Sequence, residues 1–160
     1  VFENAVRTDY LWKNVRVLGG AYGCMSSFMR TGDSYFVSYR DPNLAKTNAV
    51  FEGIPEYLEN FSADERDMTK YIIGTFGAID APLNPEGKGN RSMTAYLQKI
   101  TIEDIQRERN EILNATVEDI RALAPIVEAV LKDGQFCVVG NENNINQEKE
   151  LFLNIRKLNE

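Results

Sequence analysis

Apolar positions recur along this chain with two periods, and the changes of period mark out its elements. Phe2, Ala5, Val6, Leu11, Val15 and Leu18 fall on one helical stripe. Gly19-Gly20 follows, and glycine ends helices because it accepts left-handed backbone angles without a side-chain clash. The pattern predicts a helix over residues 3–18. Two runs with strand chemistry come next, residues 22–30 and 34–39, joined by Thr31-Gly32-Asp33. A short glycine-containing link between such runs predicts a β-hairpin. Along the second run Tyr35, Val37 and Tyr39 share a face.

Helical periodicity dominates the remainder. Asp41-Pro42 predicts a helix start, an N-cap followed by proline at the first helical position. That helix should run towards Leu58, with a kink or break where Gly53 and Pro55 interrupt it. Ser62-Ala63-Asp64-Glu65 has the form of a capping box, and Met68, Tyr71 and Ile72 supply the next apolar stripe. Residues 77–91 contain three glycines and two prolines and read as a surface connection. A short helix over 91–99 follows. Another starts at Thr101, with Ile105 and Ile112 inward. Thr116 should cap a third, buried through Val117, Ile120, Leu123, Val127, Val130 and Leu131 and ended by Gly134. Phe136-Cys137-Val138-Val139 predicts a short buried strand, and a final helix should cover about 143–158.

The order is α-β-β, several helices, then β-α. This implies an α+β fold, a helix-rich layer packed on an antiparallel sheet, within a single domain over residues 1–160. Three strands make a thin sheet, and no strand precedes the opening helix. Both features lead to the expectation of a domain truncated at its N-terminal side, with further sequence before Val1.

Composition removes several function classes. The formal net charge is -6, from 24 acidic and 18 basic residues, whereas phosphate-backbone binding needs a basic face. Nucleic acid is therefore not an expected partner. No apolar run approaches the length of a membrane span, so no membrane association is expected. Cys24 and Cys137 lie too far apart in sequence for a CxxC metal site, and both are expected to be reduced and buried. The chain has no histidine at all. A histidine-based triad, a histidine general base and an H-x-x-E-H or H-E-x-x-H zinc site are excluded within it.

The densest candidate for chemistry is Val15-Arg16-Val17-Leu18-Gly19-Gly20-Ala21-Tyr22-Gly23. It places a permanent cation at a helix end and a phenol at a strand start. Two glycines between them let another backbone come close. Arginine offers a rigid fork of donors and tyrosine a directional O–H, so the pair could grip a peptide carbonyl or stabilise charge developing on it. A purely structural turn fits the spacing too: a glycine helix stop, Arg16 favouring the helix C-terminal dipole, and Tyr22 in the core. On spacing alone that reading is the stronger. Glu103, Asp104, Glu108 and Glu111 interleave with Arg107 and Arg109 and read as a solvated, salt-bridged face. Gly87-Lys88-Gly89-Asn90 lacks phosphate-loop spacing, leaving Lys88 as an exposed loop lysine. Ser26, Ser27 and Ser38 have no histidine partner to activate them.

The segment Arg16-Val17-Leu18-Gly19-Gly20-Ala21-Tyr22-Gly23, followed by Ser38-Tyr39-Arg40-Asp41-Pro42-Asn43-Leu44, closely resembles the C-terminal region of presequence proteases. These belong to the pitrilysin/insulinase, or inverzincin, class of zinc peptidases. Further pieces match in the same order. They are Ile72-Ile73-Gly74-Thr75 with Asp80-Ala81-Pro82, then Pro85-x-x-Lys88-Gly89, then Arg107-x-x-x-Glu111-Ile112-Leu113-x-Ala115-Thr116-x-x-Asp119-Ile120. The resemblance covers roughly residues 2–140.

It implies a two-half enzyme closing as a clamshell over short or flexible peptides, such as cleaved targeting sequences. The N-terminal half would carry the zinc and the general base. The C-terminal half would bind no metal and would supply an arginine and, six residues later, a tyrosine to a composite active site. Those positions match Arg16 and Tyr22, implying catalytic roles for both, with Arg16, Gly19, Gly20 and Tyr22 contacting substrate. Expected partners are peptide substrates and the enzyme's own N-terminal half. This chain alone is expected to be inactive. A bacterial cytoplasm or a mitochondrial or plastid matrix would suit such an enzyme. The alternatives are a non-catalytic scaffold or interaction domain of the same fold and a free-standing peptide-binding module. A scaffold has no reason to keep both Arg16 and Tyr22 beside a Gly-Gly turn.

Overall fold

A computed structural model describes residues 1–29 and 31–157. The fold is α+β: helices dominate, and a two-stranded antiparallel sheet is the sheet formed among the described residues.

The opening helix forms where the apolar stripe predicts it, but most of it is wound differently. An α-helical turn, α1 (Phe2–Ala5), runs directly into a π-helix, Val6–Val17. Its end shows the wider spacing: the Leu18 N–H donates to the Lys13 carbonyl at 2.9 Å, five residues back. The winding selects which apolar residues face inward. Val6, Leu11 and Val15, five and then four residues apart, are buried. Leu18, which α-helical spacing assigns to the same stripe, is 63% exposed.

The hairpin forms as predicted, from β1 (Gly23–Phe28) and β2 (Ser34–Tyr39), with Gly23 opposite Tyr39 and Phe28 opposite Ser34. Arg30, at the end of the predicted first strand, lies outside the described residues. The face carrying Tyr35, Val37 and Tyr39 points away from the helices and is exposed. The opposite face packs on the core through edge-to-face rings, Phe2 to Phe28 at 5.1 Å and Phe28 to Phe36 at 5.7 Å, and Phe36 then stacks on Phe51 at 5.8 Å. A glutamate of the opening helix guards the edge of β1: Glu3 Oε1 accepts the Phe28 N–H at 2.7 Å.

Beyond the hairpin the predicted break at Gly53 separates α2 (Ala45–Glu52) from α3 (Ile54–Glu59), with Pro55 in the first turn of α3. Asp41 does not cap α2. Its carboxylate instead accepts the Asn43 N–H at 2.9 Å and the Thr47 hydroxyl at 2.7 Å. The distant Glu148 accepts the Ala45 N–H at 2.7 Å. α4 (Glu65–Ile79) is capped by Asp64, which accepts from the Asp67 N–H, so its start lies two residues beyond Ser62.

The predicted connection over 77–91 does not form, because two helices occupy most of that segment. α4 continues to Ile79, and α5 (Pro85–Leu97) begins with Asn84 accepting the Gly87 N–H. Proline at a first helical position gives up a donor that has no partner there, so Pro85 starts a helix rather than preventing one. Gly87 and Gly89 are tolerated inside it, at about 1 kcal/mol each. Lys88 is exposed as expected, but on a helix.

The threonine caps are found as predicted. Thr101 and Asp104 form a reciprocal capping box at α6 (Ile102–Leu113), and Thr116 and Asp119 form another at α7 (Val117–Arg121). The single helix expected from Thr116 to Gly134 is divided, since α8 (Ala124–Lys132) restarts with Pro125 in its first turn. Phe136-Cys137-Val138-Val139 forms no strand, having no ladder partner among the described residues, and Val139 is 74% exposed. Both cysteines are free, but only Cys24 is partly buried; Cys137 is exposed because its run does not enter the core. The last predicted helix is shorter: α9 (Glu142–Gln147) and a 3₁₀ turn, Lys149–Leu151. Leu158, the predicted end, lies outside the described residues.

The core sits around the opening helix, where Leu11 and Val15 join Ile54, Leu58, Phe61, Ile120, Ala124 and Val127. α5 and α6 contribute no buried residue.

Candidate functional site

The turn from Arg16 to Tyr22 links the π-helix to β1, and backbone hydrogen bonds fix its path. The Gly20 N–H donates to the Arg16 carbonyl at 2.9 Å and the Ala21 N–H to the Val15 carbonyl at 3.1 Å. Gly20 has φ +80, the left-handed region that glycine enters freely. Gly19 is required for another reason: a β-carbon there would lie 2.4 Å from the Val15 carbonyl oxygen. Asn43 Nδ2 holds the Gly19 carbonyl at 2.6 Å. The Tyr22 N–H reaches the end of β2, shared between the Tyr39 carbonyl at 3.1 Å and the Arg40 carbonyl at 3.3 Å.

These restraints present two side chains outward. Tyr22 is 63% exposed, so it is not a core residue. Its hydroxyl donates to and accepts from no group among the described residues, and Arg16 forms no ion pair among them. The Arg16 guanidinium carbon lies 5.9 Å from the centre of the Tyr22 ring and 4.0 Å above that of Trp12. Burial pushes the nearby Cys24 thiol up, and the Arg16 cation works against that shift. The turn thus holds a cation and an unoccupied phenol side by side on an open surface, where both can donate to an acceptor brought to them.

The other candidates divide as the sequence suggests. Asp104 lies in its capping box and pairs with Arg107 at 2.7 Å, and Thr101 and Arg107 hold its carboxyl down at about 2. Arg107 also reaches Glu111 at 3.9 Å, and Arg109 grips Asp80 at 2.6 and 3.0 Å. This is a salt-bridged face. Ser26 and Ser27 lie on β1 and Ser38 on β2, and the Ser26 hydroxyl is buried without a hydrogen-bond partner among the described residues. Among the described residues no group of three or more His, Cys, Asp or Glu could hold a metal ion, and no helix is long and apolar enough to cross a membrane.

Comparison with known proteins places the chain in a family. The family model described as the PreP C-terminal domain matches residues 1–142. The chain belongs to the PreP C-terminal domain family. It is 48% identical over 158 residues to Protein HypA of Clostridium perfringens, covering 99% of this chain and 16% of that protein. It is 35% identical to Presequence protease 1, chloroplastic/mitochondrial, of Arabidopsis thaliana, covering 98% of this chain and 15% of that protein. A third relative, Presequence protease, mitochondrial, of Emericella nidulans, is 31% identical over 90% of this chain and 14% of its own length. The chain therefore spans about one-sixth of the length of these relatives.

Three further residues of this PreP C-terminal domain belong to the same surface and were not singled out from spacing. Trp12 carries the Arg16 guanidinium. Tyr39 meets Tyr22 edge-to-face at 5.9 Å. The Arg40 guanidinium lies 5.7 Å from the Tyr22 ring centre and 5.3 Å from that of Tyr39. Trp12 and Arg16 are four residues apart on one helix, a spacing that brings side chains together. Tyr39 and Arg40 become neighbours of Tyr22 only through the hairpin register.

Proposed function

We propose that this chain is the C-terminal, non-zinc-binding portion of a zinc metalloendopeptidase of the insulinase class that degrades unfolded peptides. In this reading the chain closes the substrate chamber against the enzyme's N-terminal half. Arg16 and Tyr22 complete an active site that neither half holds alone. Family membership and the names of the relatives support a peptidase parent. The observation that carries the site is the exposed, uncommitted phenol of Tyr22 beside the unpaired Arg16, set on a turn that admits glycine at position 19.

The residues present do not fit a zinc ion. The chain lacks histidine, and among the described residues no three cysteine, aspartate or glutamate side chains come together to hold a metal ion. Zinc belongs to the N-terminal half in this proposal, and no step on this chain passes through it. Tyr22 donates its O–H to the oxygen of the scissile carbonyl as negative charge develops there. Arg16 fixes the peptide backbone with in-plane N–H groups, and the Gly19-Gly20 turn lets that backbone approach. Donors aimed at developing charge stabilise the transition state more than the ground state. The partners are peptides and the N-terminal half, with no role for nucleic acid or membrane. The relatives include both bacterial proteins and organellar presequence proteases, so a bacterial cytoplasm and a mitochondrial or plastid matrix both suit this reading.

Two assays test this. In the intact enzyme, Tyr22→Phe should lower kcat roughly ten- to a thousand-fold, the range for losing an oxyanion donor. An unchanged kcat removes Tyr22 from the active site. The isolated 160-residue chain, supplied with zinc and an unstructured peptide, should show no hydrolysis above background.

A further inference from the structure

We propose that Arg40 is a second substrate-anchoring residue at this site, and that its ligand is a carboxylate of the bound peptide. The inference rests on the reading of Arg16 and Tyr22 as substrate-contacting groups.

Arg40 directly follows β2 and has φ 47, a left-handed backbone angle that residues other than glycine seldom adopt. Its carbonyl accepts the Tyr22 N–H at 3.3 Å, so the unusual backbone and the Tyr22 turn are held to each other. This places the guanidinium against two rings, at 5.7 Å from the centre of Tyr22 and 5.3 Å from that of Tyr39. A guanidinium resting against aromatic rings keeps its planar fork of N–H donors available at its edge. None of the Arg40 donors meets a carboxylate or carbonyl among the described residues.

Scarcity of acidic groups does not explain this, because the chain has 24 acidic residues against 18 basic ones. Asp41, the very next residue, directs its two oxygens to the Asn43 N–H and the Thr47 hydroxyl. Elsewhere Arg107 and Arg109 are paired, with Asp104 and Asp80. Two uncommitted guanidinium groups, those of Arg16 and Arg40, therefore approach the one Tyr22 ring, at 5.9 and 5.7 Å. Such a fork matches the two oxygens of a carboxylate better than the single oxygen of a peptide carbonyl. The carboxylate could be the peptide's C-terminus or an aspartate or glutamate side chain.

The test uses the intact enzyme and three forms of one unstructured peptide. The first has a free C-terminus and one acidic side chain. The second has the C-terminus amidated, and the third has the acidic side chain replaced by its amide. Arg40→Gln should raise KM for the first peptide about ten-fold, the scale of one charge-assisted hydrogen bond, with the effect carried by KM rather than kcat. One of the two neutralised peptides should show the same raised KM with the wild-type enzyme and no further rise with Arg40→Gln, and that peptide names the source. Arg40→Gly removes the side chain while accepting φ 47 without strain, and it should match Arg40→Gln. An unchanged KM in both variants, or an equal rise for all three peptides, overturns the proposal. Tyr22→Phe in the same assay separates the two readings. A fall in its kcat beside an inert Arg40 sinks the Arg40 site alone. An unchanged kcat sinks the composite active site on which it rests.

Discussion

The guanidinium carbon of Arg16 lies 4.0 Å above the centre of the Trp12 ring, and these two residues stand four apart on one π-helix. Trp12 is 47% exposed and does not anchor the core. It serves instead as a platform that limits where the Arg16 donors can point. A cation–π contact at an exposed site contributes about 0.5–1 kcal/mol. Trp12→Leu should therefore lower kcat/KM of the intact enzyme about two- to five-fold. Trp12→Phe should restore part of the loss. Trp12 is also the chain's single tryptophan. In the 160-residue chain, Arg16→Gln should change its fluorescence, and an identical spectrum would mean that the stack does not form in solution.

Gly19 and Gly23 flank the site and invite opposite outcomes for one substitution. A β-carbon on Gly19 would stand 2.4 Å from the Val15 carbonyl oxygen and 3.0 Å from that of Asn14, both backbone atoms. Neither can move without disturbing the end of the π-helix. Gly19→Ala should cost about 1–3 kcal/mol, as overpacking does, and should impair activity by displacing Tyr22. A β-carbon on Gly23 meets nothing within 4 Å. Gly23→Ala should leave stability within about 0.5 kcal/mol of wild type. Urea unfolding of both variants checks the pair; equal stabilities would mean that the turn relaxes.

The π-helical winding makes a prediction that α-helical spacing reverses. Leu11 and Leu18 both lie on the apolar stripe drawn from the sequence. In the structure Leu11 is fully buried while Leu18 is 63% exposed. Leu11→Ala should cost about 2–5 kcal/mol, the usual range for emptying a packed leucine site. Leu18→Ala should change stability by less than about 0.5 kcal/mol. Equal penalties would argue for a regular α-helix over this segment.

The same contrast explains what could be read in advance. The hairpin, the Gly53 break and the two threonine caps were legible because each depends on local chemistry: turn residues, a helix breaker, a reciprocal Thr–Asp pair. α5 is not legible in the sequence because Pro85, Gly87 and Gly89 read as breakers, whereas Asn84 and Pro85 together start a helix. The strand expected at residues 136–139 failed because a strand needs a partner, and apolar runs do not specify one. At the candidate site, Arg16 and Tyr22 drew attention through the Gly-Gly turn and the family resemblance. Tyr39 and Arg40 lie in a second resembling segment, but it gives them no role, and hairpin register alone brings them to Tyr22.

Alkaline pH should probe the contact between the opening helix and α3 and α4. The Tyr57 ring lies tilted against that of Tyr10 at 4.7 Å, and the Tyr71 hydroxyl donates to Asp9. Burial, with the Asp9 carboxylate nearby, pushes Tyr57 up to about 12. Burial and then the hydrogen bond to Asp9 push Tyr71 up as well. Both pKa values are raised on folding from the ordinary value of 10, so the protonated phenols favour the folded chain. Their contribution is complete below pH 10 and is lost as pH rises through the folded values, with Tyr57 titrating near 12. Stability to urea should therefore fall between about pH 10 and 12. Asp9→Asn removes the charge that adds to both shifts, so its stability should decline less steeply over that interval. Burial persists in the variant, so some decline should remain. Equal slopes for wild type and Asp9→Asn would show that Asp9 does not couple to these phenols.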